Sequence, residues 1–168
     1  MKTNDVTNSN CPIARAMTVL GEGWTLLVLR EAFLGTRRFN DFERRLGVAR
    51  NVLSARLGRL VDTGLLERRP LPEDGRVIEY RLTQAGRELA PVMVAMSQWS
   101  MQWLVEQPEP IRYVERATGE DLPPVQIRNR HGEVLAARDI QIKPGPGADC
   151  VVQHQYSTAS VRPHKPQQ

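Results

Sequence analysis

The sequence predicts a mainly α-helical protein with a small β component, and three observations lead to this fold class. The 168 residues are 40% hydrophobic and 25% charged, which is typical of one globular domain with an appendage. Hydrophobic side chains recur at helical spacing in several segments between residues 13 and 61. Near residue 78 the period changes to two, which is typical of a β-strand.

Four helices are predicted in the first part of the chain, after a disordered tail over residues 1–10. The second is the most apolar, because almost every residue from Trp24 to Leu34 is hydrophobic, and Gly35 closes it. The third is short and stops at Gly47, and the fourth ends near Gly64. The hydrophobic positions that mark the first, third and fourth helices are Ile13, Met17 and Leu20, then Phe39, Phe42 and Leu46, then Leu53, Leu57, Leu60 and Val61.

A β-hairpin and a long helix are predicted next. Ile78, Tyr80 and Leu82 alternate with charged residues and can pair with residues 65–69 across a turn at residues 72–75. Thr83 is the expected N-cap of the helix, and Pro91 is expected to kink it. Its apolar positions are spaced 3, 4, 3 and 4, as in a helix–helix seam, and they are Leu89, Val92, Met96, Trp99 and Trp103.

This order of elements predicts a winged helix-turn-helix with a long C-terminal dimerisation helix. The two helices joined by the turn at Gly47 form the helix-turn-helix, and the hairpin is the wing. This domain is expected to span residues 11–107. A small β extension is predicted over residues 108–147, with a hairpin turn at residues 129–132, and residues 148–168 are predicted to be a disordered tail.

The charge is concentrated in one segment. Residues 37–59 contain seven arginines and two acidic residues and therefore carry +5, whereas the whole chain carries +4. Arginine accounts for 20 of the 23 basic residues, and its planar guanidinium suits bidentate contacts with phosphates and guanine. A GC-rich genome is an alternative explanation for scattered arginines. The cluster itself predicts a phosphate-binding surface.

The fourth helix is the expected recognition helix. At 100° per residue, the side opposite its leucines carries small residues that allow a close approach to base edges, and arginines flank it. A solvated helix face is the simpler alternative, and the surrounding topology favours DNA. The predicted DNA-binding residues, including two that precede the helix-turn-helix and one at the wing tip, are Arg37, Arg38, Arg50, Asn51, Ser54, Arg56, Arg59 and Arg76.

Several segments in the same order resemble the HxlR family of bacterial winged-helix transcriptional regulators, relatives of the MarR type. They are Cys11-Pro12-Ile13, GEGWTLLVLREAFLGTRRFNDFERRLG, VLSARLGRLVDTGLLERR and VIEYRLTQAG. The resemblance implies a homodimer, joined through the first and last helices, that binds a near-palindromic double-stranded DNA operator and represses or activates genes. One departure is Ala49, where the family usually has a serine that caps the recognition helix. The implied dimer-interface residues are Ile13, Met17, Val92, Met96, Trp99 and Trp103.

Cys11 is the candidate sensing residue. In similar regulators the cysteine at this point responds to quinones, aldehydes or oxidants, so the resemblance implies an electrophile or another small molecule as effector. A thiol at a helix N-terminus has its thiolate stabilised by the helix dipole, and Arg15 is expected to add to this effect. The alternative is a small residue buried at the dimer interface. Cys150 is interpreted as an exposed bystander.

Two other functional classes are weighed against a DNA-binding regulator. A thiol oxidoreductase would need an activating histidine or a second thiol near Cys11, and the three histidines all lie in the last quarter of the sequence. A dimeric winged-helix interaction module that no longer binds DNA has no need of the arginine cluster. No catalytic residue, metal site or cofactor is predicted. The composition offers neither a membrane span nor a secretory signal, and a cytoplasmic protein is expected.

Overall fold

The computed structural model describes residues 10–71, 76–106 and 110–158. Within them it contains seven α-helices, two β-strands and one 3-10 helix, Ala137–Asp139. In chain order the helices and strands are α1 (Pro12–Leu20), α2 (Thr25–Phe33), α3 (Phe39–Leu46), α4 (Arg50–Asp62), β1 (Leu66–Pro70), β2 (Ile78–Leu82), α5 (Gln84–Arg87), α6 (Ala90–Trp103) and α7 (Cys150–Thr158).

The chain divides into two compact units, and the division differs from the predicted domains. One unit spans residues 23–126 and contains α2 to α6 together with the sheet. The other combines α1 with the described residues from 127 to 158. The predicted domain over residues 11–107 and the predicted extension over residues 108–147 are therefore each divided between the two units.

The core of the larger unit is built by the hydrophobic positions that the sequence pattern identifies. Its largest fully buried hydrophobic side chains come from α2, α3, α4 and β1, and they are Val28, Leu29, Phe42, Leu53, Leu57, Leu60 and Leu66. The helix ends follow from local chemistry. Gly35 and Gly47 have φ angles of 90° and 63°, the left-handed conformation that commonly follows a helix C-terminus, so the predicted stops of α2 and α3 are confirmed.

The start of α4 reflects the departure noted at Ala49. Ala49 is the N-cap residue, and its φ and ψ of −60° and 140° are typical of that position. Its methyl side chain makes no capping hydrogen bond, whereas a serine would accept one from the first turn. Helix α4 nevertheless forms over 13 residues, because tertiary packing of Leu53, Leu57 and Leu60 contributes far more than one cap.

The predicted hairpin forms the wing. Strands β1 and β2 pair antiparallel, with Leu66 opposite Leu82 and Pro70 opposite Ile78. The chain before α3 adds to this sheet, because Arg38 forms a bridge with Glu79 and the Tyr80 N–H donates to the Arg37 carbonyl at 2.8 Å. The turn expected at residues 72–75 lies outside the described residues.

The predicted long final helix is confirmed only in part, because the structure divides it into α5 and α6. Thr83 does act as an N-cap, accepting a hydrogen bond from the Gly86 N–H at 3.1 Å, but α5 ends after four residues at Arg87. A new helix, α6, starts at Ala90 with Pro91 in its first turn. Proline lacks an N–H and its ring clashes with the carbonyl four residues earlier, so it starts a helix instead of continuing one. No helix among the described residues is long and apolar enough to cross a bilayer.

The segment after α6 contains less β-structure than predicted. The turn at residues 129–132 is present, since Leu135 N–H donates to Ile127 at 2.8 Å and Arg128 bridges Val134. No strand extends this turn among the described residues, and the 3-10 helix takes the place of the returning strand. A second loop, closed by a bidentate Arg112–Asp121 ion pair at 2.6 and 2.9 Å, was not predicted.

The predicted disordered tail is also different in the structure. Residues 150–158 form α7, which has Asp149 at its N-terminus. The Asp149 carboxylate accepts hydrogen bonds from the Val152 N–H at 2.9 Å and the Asn10 N–H at 2.7 Å. Val152 is buried although α7 has no strong amphipathic pattern. The sequence pattern missed this helix because its stability comes from capping and from contacts with residues over 100 positions away.

Candidate nucleic-acid interface and thiol site

Helices α3 and α4 are arranged as a helix-turn-helix, and α4 has two distinct sides. The turn runs from Gly47 to Ala49, and Val48 is buried beneath it. The inner side of α4 supplies the core leucines. Its outer side exposes Asn51, Ser54 and Ala55, all small enough for the helix backbone to approach a surface closely.

Arg50 and Arg56, both predicted to bind DNA, make contacts that connect α4 to other parts of the protein. The Arg50 guanidinium donates to Glu43 at 2.8 Å and lies 4.8 Å from the centroid of the Phe39 ring. The Arg56 Nε donates to the Gly23 carbonyl at 3.1 Å. Arg50 therefore joins α4 to α3, and Arg56 joins α4 to the chain before α2, so both have a structural role.

A second group of arginines is arranged by two buried carboxylates. Glu31, whose exposed fraction is 4%, bonds to Arg30 at 2.8 Å and lies 3.8 Å from Arg45. Glu79, whose exposed fraction is 9%, bonds to Arg81 at 2.7 Å and lies 3.9 Å from Arg37. Because the four arginine side chains are between 37% and 57% exposed, each carboxylate fixes arginine side chains that still face solvent.

Two of these arginines, Arg37 and Arg45, line an open cleft of about 320 Å³ beside the start of α3. Its lining residues include Arg37, Arg38, Arg44 and Arg45, with Asp41 and Glu79 as the acidic members. Among the described residues, the exposed Arg38 guanidinium has no ion-pair partner. The cleft therefore has the charge and the donors to hold a phosphate group.

Arg59 and Arg76 complete the predicted set. Both are exposed, Arg59 in the last turn of α4 and Arg76 at the start of the chain that leads into β2. The predicted residues thus lie in three places, namely the start of α3, the outer side of α4 and the wing, all within the unit of residues 23–126.

Cys11 is buried, with an exposed fraction of 5%, in the smaller unit. It is the N-cap residue of α1, and its side chain makes no capping hydrogen bond. The pKa of its thiol is lowered, and the largest cause is the nearby backbone N–H of Ala14 in the first turn of α1. The Tyr156 hydroxyl, 3.5 Å from the Cys11 sulfur, is the second. Burial and the nearby Asp149 carboxylate raise the pKa of the Cys11 thiol, but the lowering influences are larger, so the pKa lies below its ordinary value.

The contact between Cys11 and Tyr156 shifts the pKa of both side chains, in opposite directions. Hydrogen bonding to Cys11 raises the pKa of the Tyr156 phenol, as expected for a donor to a thiolate. The N–H groups of Val152 and Asn10 are the main causes that lower the pKa of the Asp149 carboxyl group, and the charge of Arg15 adds to this effect. The expected effect of Arg15 on Cys11 itself stays a prediction. Cys150 is exposed, as predicted, but it starts α7 and does not belong to a disordered tail.

Sequence reasoning missed three residues of these sites. Glu31 carries a usable signal, because it is an acidic residue inside the nearly continuous apolar stretch of α2. Glu79 lies at an alternate position of a strand and looks solvent-facing by periodicity alone. Tyr156 has no local signal, since it reaches Cys11 from 145 residues away.

The predicted interface residues are all exposed in the single chain. On α1 the exposed fractions of Ile13 and Met17 are 69% and 53%, and on α6 Trp99 and Trp103 reach 55% and 67%. Val92 and Met96 are also exposed on α6. Exposed large apolar side chains of this kind, on α1 and separately on α6, are candidates for a protein–protein contact.

A buried helix-turn-helix core, an exposed outer side of α4 and a wing define the winged helix-turn-helix class of transcriptional regulators. Residues 19–108 match the family described as HxlR-like helix-turn-helix, and the chain belongs to this family. The chain is 44% identical over 137 residues to the uncharacterized HTH-type transcriptional regulator Rv3095 of Mycobacterium tuberculosis, covering 80% of this chain and 86% of the relative. The resemblance to HxlR regulators is therefore confirmed.

Two solved structures are also similar. The crystal structure of PA1607, described as a candidate transcription factor, superposes with a TM-score of 0.77 at 40% identity, covering 83% of this chain and 98% of that one. The redox regulator HypR in its oxidized form gives a TM-score of 0.50 at 28% identity, covering 55% of this chain and 96% of that one.

Proposed function

We propose that the protein is a homodimeric transcriptional regulator that binds a near-palindromic DNA operator. Modification of Cys11 changes the affinity of the dimer for this operator. The observation that carries this proposal is the outer side of α4, which exposes Asn51, Ser54 and Ala55 between arginine-rich flanks. A recognition helix needs small residues for close approach and polar side chains for base edges. A surface built only for solubility needs neither.

In this proposal the three groups of residues have different tasks. Asn51 and Ser54 read base edges in the major groove, and Arg59 contacts the flank of the groove. Arg38 and the neighbouring cleft bind the sugar–phosphate backbone, and Arg76 reaches it from the wing. Arg50 and Arg56 hold α4 in place through Glu43 and the Gly23 carbonyl and also add to the local positive charge.

The dimer is supported by the exposed apolar side chains of α1 and α6. Six of them lie at the positions expected for the interface, and pairing two chains would remove them from water. A twofold dimer presents two recognition helices, so its operator has two related half-sites about one helical turn apart. This is the basis for a near-palindromic operator.

The test of DNA recognition is fluorescence anisotropy with the intergenic DNA upstream of the gene for this protein. We expect Asn51→Ala to reduce the preference for this DNA over a scrambled duplex by about tenfold, because a base contact is lost. We expect Arg38→Ala to lower affinity for both duplexes and to reduce the slope of log affinity against log salt by about 1.

Arg116→Ala is the matched control, because it removes the same charge from an exposed position outside the helix-turn-helix and the wing. It should leave the preference between the two duplexes unchanged. Equal loss of affinity in Arg38→Ala and Arg116→Ala would contradict the assignment of the cleft. Wild-type protein that dimerises but binds neither duplex would instead identify a winged-helix interaction module.

The sensing role of Cys11 rests on its lowered pKa and on the likeness to a protein named as a redox regulator. In the proposed reaction the thiolate sulfur adds to an electrophilic ring carbon of a quinone. A C–S bond forms, the ring C=C π bond opens towards the conjugated carbonyl group, and the resulting oxyanion takes up the proton that the thiol released. We expect treatment with a quinone to change the affinity of wild-type protein for its operator and to leave Cys11→Ser unaffected. The same anisotropy measurement, with and without the quinone, decides this, and equal behaviour of both proteins would make Cys11 structural.

A further inference from the structure

We propose that α7 is a lid over Cys11 and that Tyr156, carried by this lid, is the positioning residue that activates the thiol. This inference rests on the proposed sensing function, because it concerns the regulation of the same site. It assigns a role to a segment that the sequence pattern predicts as a disordered tail.

Helix α7 is fastened to the residue that precedes Cys11. The Asn10 N–H donates to Asp149 at 2.7 Å, and the Asp149 N–H donates to the Asn10 side chain at 3.2 Å. The Asp149 carboxylate also caps α7 through Val152. These bonds tie the start of the lid to the start of α1, so the position of α7 depends on the chain at Cys11.

The direction of α7 brings one of its sides to the thiol. Val152 and Tyr156 are four residues apart and therefore share a side of the helix, while Cys150 lies about 200° away from Val152. The burial of these residues agrees with this geometry, because Val152 is buried, Tyr156 is half-buried and Cys150 is exposed. The covered thiol is therefore that of Cys11, and the Cys150 thiol of the same chain is open to solvent.

Tyr156 acts on Cys11 through its hydroxyl group. The oxygen lies 3.5 Å from the sulfur, within hydrogen-bond distance for this pair. When the thiol ionises, only the phenol can donate, so the contact favours the thiolate. Three other groups set the local electrostatics, namely the N-terminal N–H groups of α1, the opposing Asp149 carboxylate, and Arg15, which acts on Asp149.

The lid and the hydroxyl group have separable effects on alkylation. Iodoacetamide reacts only with the thiolate, whose sulfur displaces iodide, so the rate rises with pH to a plateau. The midpoint of this rise reports the stabilisation of the thiolate. The plateau reports access to the sulfur, because every thiol is then ionised. Cys150 of the same chain supplies a reference rate for an open site.

The experiment measures the alkylation of Cys11 and Cys150 by mass spectrometry across a pH series in the full-length protein. Tyr156→Phe keeps the aromatic ring and removes the hydroxyl group, so we expect the midpoint for Cys11 to move to higher pH with an unchanged plateau. Val152→Ala weakens the packing of the lid without changing any charge, so we expect the Cys11 plateau to rise about fivefold, the change produced by roughly 1 kcal/mol of lost packing. Rates at Cys150 should stay constant.

An unchanged midpoint in Tyr156→Phe would overturn the role of Tyr156, and an unchanged plateau in Val152→Ala would overturn the lid. Neither outcome involves DNA. If both effects appear and a quinone still leaves operator binding unchanged, the lid and Tyr156 stand while the sensing function fails. If operator binding responds to a quinone and both variants have the same Cys11 alkylation profile as the wild type, the sensing function stands and this inference fails.

Discussion

Replacement of Leu53 by alanine is expected to lower the free energy of unfolding by about 2–5 kcal/mol. Leu53 is completely buried on the inner side of α4, where α4 packs against α2, α3 and β1. Removing three carbon atoms there leaves a cavity that the other fully buried side chains of this core, such as Phe42 and Leu29, cannot fill without moving. The loss should appear in urea unfolding as a lower midpoint with an unchanged slope.

The variant also separates stability from recognition. Leu53 is buried on the inner side of α4, whereas Asn51 and Ser54 are exposed, so the folded fraction should bind operator DNA with nearly normal affinity at low temperature. Leu34→Ala is the matched control, since this leucine is 68% exposed, and its effect should stay within about 0.5 kcal/mol. Similar losses for both leucines, measured at one protein concentration, would contradict the core assigned to α4.

The helix-turn-helix is the part of the fold that the sequence predicts well, and the reason is local. The leucines of α4 recur every three or four residues and all become buried, and Gly47 supplies the positive φ that the turn requires. Each of these signals involves neighbours within one or two turns of the chain. The residue types therefore carry the information without any knowledge of tertiary contacts.

The errors arise where a distant contact or a single residue decides the outcome. Pro91 was expected to kink one helix, and it starts a second one. Helix α7 has a weak pattern of its own and depends on Asn10, more than 130 positions away. The same cause hides Tyr156 from sequence analysis, and it hides Glu79, which orients Arg37. Charge clustering identifies the basic surface but not which arginines are held by buried or neighbouring carboxylates.

Gly86→Ala is the second substitution with a large expected effect on the free energy of unfolding. Two physical arguments give opposite signs for this effect. Gly86 lies in α5, where alanine is intrinsically favoured over glycine by up to about 1 kcal/mol. A methyl group at this position would, however, overlap the backbone carbonyl of Leu65 and lie 3.0 Å from a Leu82 methyl carbon. A backbone carbonyl at the base of the wing cannot rotate away as a flexible side chain can.

We therefore expect steric overlap to prevail and Gly86→Ala to destabilise the protein by an amount near the upper end of about 1–3 kcal/mol. The control is Gly58→Ala in α4, where the added methyl group meets nothing within 4 Å and the helical preference acts alone, so this variant should be more stable by about 0.5–1 kcal/mol. Urea unfolding of both variants decides the point. The two substitutions are chemically identical, so opposite signs can come only from the packing of α5 against Leu65 and Leu82, and equal signs would mean that this packing is absent.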